Sequence, residues 1–274
     1  MDNPSPANSP PPSRAGALIA LLVATVTVLL VWKTFVTSRP TRPSTHPTES
    51  PSPVIVAIWR DGSALIHIPE ATFTAGSKEK SDDNPEHTVT VKAFDIGKVP
   101  VTNAQFRRFV DTAGYDAGAD WKEYATKWGD QAPVVEVSWN DADAYCKWAG
   151  LRLPTEDEWE LAARGPNGRI YPWGNSWSTD LCCNSVGASQ VGPCAVGTFP
   201  AGASAYGCLD MEGSVWQFTS SWWDDTHKSH VVRCGSWSDD DPSVFRAPNR
   251  FYLYDGSNFR YNYSGFRVAG GVAR

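Results

Sequence analysis

The chain has 274 residues and a formal net charge of −6, with acids and bases interspersed and no run of Lys or Arg. That balance argues against nucleic acid as a partner, because phosphate binding needs a concentrated basic face. A count of 13 Trp and 22 Gly argues against long helices and for aromatic-packed loops.

In chain order, residues 1–14 (MDNPSPANSPPPSR) are Pro/Ser-rich, carry too little apolar surface for a core and read as a disordered tail. Residues 15–32 (AGALIALLVATVTVLLVW) hold no charge, are bracketed by Arg14 and Lys33, and end on Trp32. This is long enough for a single transmembrane helix, and no small-residue cleavage site follows it. Residues 33–53 are a Pro/Ser/Thr-rich linker of the kind that spaces a domain from a membrane. Arg14 lies on one side of the span and Lys33, Arg39 and Arg42 on the other, a charge balance that slightly favours the domain staying inside. The stalk, together with the clustered cysteines further on, favours an extracytoplasmic domain over 54–274.

Within that domain, VIVAIW, ALIHIP and HTVTVKAFDIGK read as strands from their alternation and β-branched content. VPVTNAQFRRFVDTAG reads as a helix with Thr102 as its cap and Gly114 as its stop. NDADAYCKWAG is a second helix, with Ala142, Tyr145, Cys146 and Ala149 on one face. LPTEDEWELAARG is a third, with Thr155 and Glu158 forming a capping box and Gly165 at its end. Beyond Gly165 the pattern is one of short strands and long Gly/Trp/Asn loops.

The six cysteines fit no paired CxxC zinc pattern. Cys182, Cys183, Cys194 and Cys208 crowd one loop region and are disulfide candidates in an exported domain, with the pairing open. Cys146, on the apolar side of its helix, reads as a buried thiol. The five histidines show no metal spacing, and His227 and His230 read as solvated residues on a polar loop. Asp224/Asp225 and Asp239/Asp240/Asp241 read as exposed loop acids, since no base or nucleophile pattern accompanies them.

Several segments fall in an order that carries a resemblance: IPEATFTAGS, VPVTNAQFRRFV, PVVEVSWNDADAYCKWAGLRLPTEDEWELAARG, YPWGN, VGTFPAGASAYGCLDMEGSVWQFTSSWW, CGSW and GFRVA. Over 64–270 the chain resembles the formylglycine-generating-enzyme (sulfatase-modifying factor) family. The resemblance implies an α+β, loop-rich C-type-lectin-like fold, in which Trp139, Trp148, Trp159, Trp173 and Trp216 belong to core and framework. The family's oxidase chemistry uses a copper-binding cysteine pair after its GGS[YW] motif. The matching positions here are Asp239 and Val244, and neither side chain supplies a thiolate. A non-enzyme without copper is therefore expected, the alternative being a family oxidase or maturation factor that uses other residues.

The resemblance also implies a structural Ca²⁺ site at Asp210, Gly213, Val215 and Gln217, weakened because Gln217 stands where the family has Glu. A second family site maps to Asn184, Ser185, Gly197 and Phe199, where Gly197 replaces the acidic ligand.

Residues 234–269 (CGSWSDDDPSVFRAPNRFYLYDGSNFRYNYSGFRVA) resemble the C-terminal repeat of the variable proteins of diversity-generating retroelements. In those proteins CGSW-, RAPNR- and GFR-like framework is separated by exchangeable positions. Randomising adenines in AAY codons never yields Lys, Glu, Gln, Trp or Met, and residues 238–264 contain none of these types. The aromatic-plus-small-polar mixture is that of a paratope. Trp237, Arg246, Asn249, Arg250, Phe266 and Arg267 are the expected framework. The expected contacts are Ser238, Asp240, Val244, Phe245, Pro248, Phe251, Tyr252, Leu253, Tyr254, Asp255, Gly256, Asn258, Phe259, Tyr261, Asn262, Tyr263 and Ser264. Together these features describe a membrane-anchored, non-catalytic, receptor-like or adhesin-like protein, whose C-terminal face is diversified to meet a protein or cell-surface ligand.

Overall fold

The computed structural model describes residues 55–79, 84–187, 189–253 and 257–271. The tail, the expected span over 15–32 and the linker lie outside them. Among the described residues no helix is long and apolar enough to cross a membrane.

β1 (Ile55–Ile58), β2 (Ala64–Ile68), β5 (Phe94–Gly97) and β10 (Ala269–Gly271) form an antiparallel sheet in the order β1-β2-β5-β10. The end of the domain thus closes onto its beginning. β3 (Ala71–Ala75) and β4 (His87–Val91) make a separate hairpin. A second four-stranded sheet runs β8-β7-β6-β9, from β6 (Trp216–Trp222), β7 (His230–Arg233), β8 (Phe251–Tyr252) and β9 (Ser264–Phe266), with β9 parallel to β6. This α+β arrangement agrees with the expected fold class.

The helices are α1 (Asn103–Ala113), α2 (Asp120–Trp128), α3 (Trp139–Ala149) and α4 (Glu156–Arg164). Thr102, Ser138 and Thr155 cap α1, α3 and α4 as complete capping boxes, each hydroxyl accepting from the N3 amide while the N3 side chain takes the cap N–H. α2 was not expected. Ala119 gives it no side-chain cap, and its apolar face is short: Trp121 and Ala125 are the buried positions. β3 was also missed, because its five residues continue a motif that was read only as a family signature.

Two aromatic-rich cores result. One packs α1, α2 and α3 against β6 and β9, with Phe106 edge-on to Trp121 at 5.1 Å and Tyr145 edge-on to Phe266 at 5.3 Å. Such pairs contribute about 0.5–1.5 kcal/mol beyond their area. The other packs β2, β3 and β5 against α4 through Ile66, Phe73, Phe94 and the fully buried Trp159. A smaller cluster sets Tyr171, Trp173 and Trp177 around Phe245.

Two sequence expectations are corrected here. His230 is buried rather than solvated, because β7 turns it into a slot between the ring planes of Trp139 (3.9 Å) and Trp222 (3.7 Å). Among the crowded cysteines Cys183 bonds Cys194, whereas Cys182 and Cys208 are buried free thiols.

Candidate functional site

A groove of about 550 Å³ opens beside the second sheet. Its exchangeable-type wall is Ser238, Val244, Phe251, Tyr252, Leu253 and Tyr263, and its remaining lining is Trp216, Trp223, Ser236, Asp239, Ser243, Asn249 and Arg250. The sheet supplies the aromatic floor: β6 brings Trp216, which Phe251 of β8 approaches at 5.4 Å. Tyr252 lies 4.7 Å from Trp223. The opposite side is polar and held by a turn in which Asp239 Oδ2 accepts from the Ser236 amide and hydroxyl, both at 2.7 Å.

Beneath the groove lies an ionic frame. Glu160 of α4 is wholly buried; its Oε2 accepts from Arg233 Nη2 at 2.8 Å and its Oε1 pairs with Arg164 and the Gly76 amide. Nη1 of Arg233 donates to the carbonyls of Ala247, Pro248 and Asn249 at 3.0–3.3 Å. One buried guanidinium therefore fixes the backbone of the RAPNR segment. One helical turn earlier, Glu156 takes Arg250 at 3.0 Å. Arg250 also covers the Trp223 ring at 4.5 Å. The one guanidinium among the described lining residues, that of Arg250, is thus paired within the protein. Trp237 Nε1 donates to the Asn262 carbonyl and Asn249 Nδ2 to the Val244 carbonyl, so these framework residues do hold the loop.

The expected contacts divide by position. Six line the groove. Asp240, Asn258 and Phe259 are exposed beyond it, and Tyr261 and Asn262 are half-buried beside it. Residues 257–263 rest on the start of α3, through Asn258 Oδ1 on Asn140 Nδ2 (2.6 Å) and Arg260 on Asp141 (2.8 Å). Tyr254, Asp255 and Gly256 lie outside the described residues. Phe245, Pro248 and Ser264 are corrections, because all three are buried. Phe245 stacks 4.9 Å from Trp177, Pro248 sits where its carbonyl meets Arg233, and Ser264 begins β9. A strand or clamp position reads like a contact position when only residue type is considered.

Arg233, Glu156, Glu160 and Trp223 escaped the sequence reading. The one signal was an Arg closing an otherwise apolar strand run, which requires a buried partner.

Chemically the groove offers contact area and hydrogen bonds. No Cys, His or Lys is among its described lining residues. Burial raises the thiols of Cys146, Cys182 (to about 12), Cys208 and Cys234, which keeps them protonated. Asp239 and Val244 both line the groove, so the two positions at which the resemblance called for cysteines are the groove's own wall. Cys234, in place of a motif glycine, takes φ 110°, a region L-residues rarely adopt.

The four residues expected around calcium come together, and among their oxygens those of the Gln217 amide and the Gly213 carbonyl have protein donors. Gln217 Oε1 accepts from Arg267 Nε at 2.6 Å and from Trp159 Nε1 at 2.9 Å, while its Nε2 donates to the Asp210 carbonyl. The Gly213 carbonyl takes Cys234 Sγ and the Val215 amide. Gln217, with its amide oxygen taken by Arg267 and Trp159, does not fit the ion as a ligand, whereas Glu212 beside it is buried with neither carboxyl oxygen hydrogen-bonded. Among the described residues no group of three or more His, Cys, Asp or Glu side chains is arranged to hold a metal.

Residues 55–271 match the sulfatase-modifying factor enzyme 1-like domain. The hercynine oxygenase of Mycobacterium tuberculosis is 39% identical over 173 residues, which is 51% of this chain but 40% of that protein. The inactive C-alpha-formylglycine-generating enzyme 2 of Mus musculus is 33% identical over 231 residues, 64% of this chain and 75% of that protein. Among solved structures, Treponema denticola variable protein 1 matches with a TM-score of 0.64 at 20% identity, covering 76% of this chain and 94% of that one; at that identity the likeness is one of fold.

Proposed function

The chain belongs to the sulfatase-modifying factor enzyme 1-like domain family, and from that membership we propose that it is a non-catalytic ligand-binding protein working through the groove. The observation that carries this is the coincidence of two sets of residues. The wall where the resemblance called for a cysteine pair is built instead from Asp239, Val244 and five further residues of exchangeable type. Aromatic rings supply rigid contact area, and Ser and Asn supply adaptable hydrogen bonds. The buried Arg233–Glu160 pair holds the loop backbone whichever side chains are displayed.

In this proposal the residues of the C-terminal face are diversified by a retroelement to meet a protein or cell-surface ligand. The span over 15–32 anchors the chain, and the linker holds the domain outside the cytoplasm. Sequencing the surrounding genome tests the central claim. We expect a neighbouring reverse-transcriptase gene and a near-copy of the codons for residues 235–267, Asn-rich at the exchangeable positions. A locus with neither would sink it. Protease digestion of intact cells, cutting the domain from outside, tests the orientation.

A second reading, an oxidase or maturation factor, is favoured by the similarity to the hercynine oxygenase of Mycobacterium tuberculosis. It requires the purified protein to retain copper or iron and to consume oxygen with a thiol substrate. That result would displace the binding proposal.

A further inference from the structure

The described lining of the groove holds one guanidinium and one carboxylate, those of Arg250 and Asp239. Arg250 is spent within the protein. Its Nε lies 3.0 Å from Glu156 Oε2, and Nη2 donates to Glu156 Oε1 at 3.2 Å and to the Trp223 carbonyl at 3.1 Å. Asp239 has no such countercharge. Its Oδ2 accepts from the amide and hydroxyl of Ser236, both neutral donors. Its Oδ1 accepts no hydrogen bond from the described residues, and the carboxylate joins no ion pair among them. With Arg250 matched by Glu156, the charge that the groove offers a ligand is negative. Asp240, next in the chain, is exposed and carries the same sign, and Arg260 further along is held by Asp141 at 2.8 Å.

The aromatic wall suits the same sign of ligand, because ring faces are the negative side of the aromatic quadrupole. Trp216 and Phe251 lie 5.4 Å apart with their planes inclined by 32°, and Phe251 is 44% exposed, so its ring is open to a ligand. The wall already seats one cation of the protein's own, the Arg250 guanidinium carbon 4.5 Å over the Trp223 ring. Tyr263 lines the groove as well. Burial first, and then the neighbouring Tyr261, Asp239 and Glu136, push its phenol upward, which sets that ring in the field of two carboxylates. An anionic ligand would meet Asp239 with no unpaired cation to receive it. A neutral one would take water from that carboxylate and return no charge.

We infer that the groove receives an arginine side chain of a protein ligand, with its guanidinium against Asp239 and its methylene stem along Phe251 and Trp216. The inference rests on the reading of this groove as a ligand-binding site and names the chemistry it recognises. A guanidinium fits better than an ammonium, because its plane stacks on a ring face while its edge donates to a carboxylate oxygen. Its stem carries the apolar surface that the rings cover. At about 550 Å³ the groove has room for the side chain and the backbone that presents it.

The test titrates the full chain, in detergent micelles and with isotope-labelled Trp indoles, with three small probes. These are N-acetylargininamide, its neutral isostere N-acetylcitrullinamide, and methyl glucoside. We expect the arginine probe to shift the Trp216 and Trp223 indole signals saturably, and the citrulline probe to bind about tenfold more weakly. Added salt should weaken the arginine probe alone. Asp239→Asn keeps an oxygen for Ser236 and removes the charge, so the two probes should then bind within about twofold of each other. Phe251→Leu leaves the Ser236–Asp239 turn untouched and should weaken the arginine probe by about threefold through the lost ring face. It decides the matter if Asp239→Asn disturbs the turn. A citrulline probe that binds the natural chain as tightly as the arginine probe overturns the inference and leaves the groove a binding site. Binding of the glucoside without the arginine probe, or of no probe at all, also overturns it. Retained copper or iron with oxygen consumption would instead defeat the reading beneath it.

Discussion

At His230 an imidazole lies between the faces of Trp139 and Trp222, and its protonated form would have to shed water to stay there. Burial pushes its pKa from 6.5 down to about 4, against weaker upward pulls from the Ser221 backbone and Asp143. The unfolded chain therefore binds this proton first as pH falls. The stability that His230 contributes is present in full above pH 6.5 and is lost between 6.5 and about 4, by roughly 3 kcal/mol in all. Urea midpoints of the natural chain and of His230→Phe, taken at pH 7 and pH 4.5, check this. The natural chain should lose more stability on acidification than the variant, and equal losses would contradict the assignment. The position was misread from sequence because H-K-S-H looks like a polar loop. Only the strand pairing of β7 shows which of its two histidines turns inward.

At the scale of elements, α4 does more than any other helix. Glu156 reaches Arg250, Trp159 reaches Gln217, and Glu160 reaches Arg233 and Arg164. These side chains recur at the i, i+3 and i+4 spacings that share a helix face, so a shift at the helix start moves all of them together. Thr155→Ala removes the hydroxyl that accepts from the Glu158 amide and should cost about 1 kcal/mol. Thermal melting measures the loss. A change within error would mean that packing alone holds the first turn. The capping signals for α1 and α4 were legible in the sequence because they act within a few residues. α2 was not, because without a cap its helix depends on Trp121 packing edge-on against Phe106 of α1, a contact between elements.

Across the whole molecule, the groove depends on a pair of charges taken out of water. Arg233 and Glu160 are both at 0% exposure, and such a pair is retained because breaking it is costly. Glu160→Gln leaves Arg164 without its countercharge and Arg233 with only the longer contact to Glu156 at 3.6 Å, and should destabilise the fold by about 3–5 kcal/mol. Denaturant unfolding reads that cost. Hydrogen exchange should at the same time show faster opening at the Ala247 and Asn249 amides, in the segment whose carbonyls Arg233 holds. Stability unchanged within about 1 kcal/mol would mean that the frame is not held by charge.

The sequence by itself determined three of the four helices, two of them with their caps, the α+β class and the missing thiolates at Asp239 and Val244 through the family resemblance, and the position of the stretch between Trp237 and Phe266 that we propose binds the ligand. These are local or positional signals, carried by residue type and spacing along the chain. Only the tertiary structure decided which residues of that stretch face out. Phe245 and Phe251 are the same residue type six positions apart; one lies buried against Trp177 and the other is 44% exposed over Trp216. It also decided that Gln217, in the expected calcium loop, gives its amide oxygen to Arg267 and Trp159. In both cases the deciding partners come from distant segments, and burial is a property of what packs against a residue rather than of the residue itself.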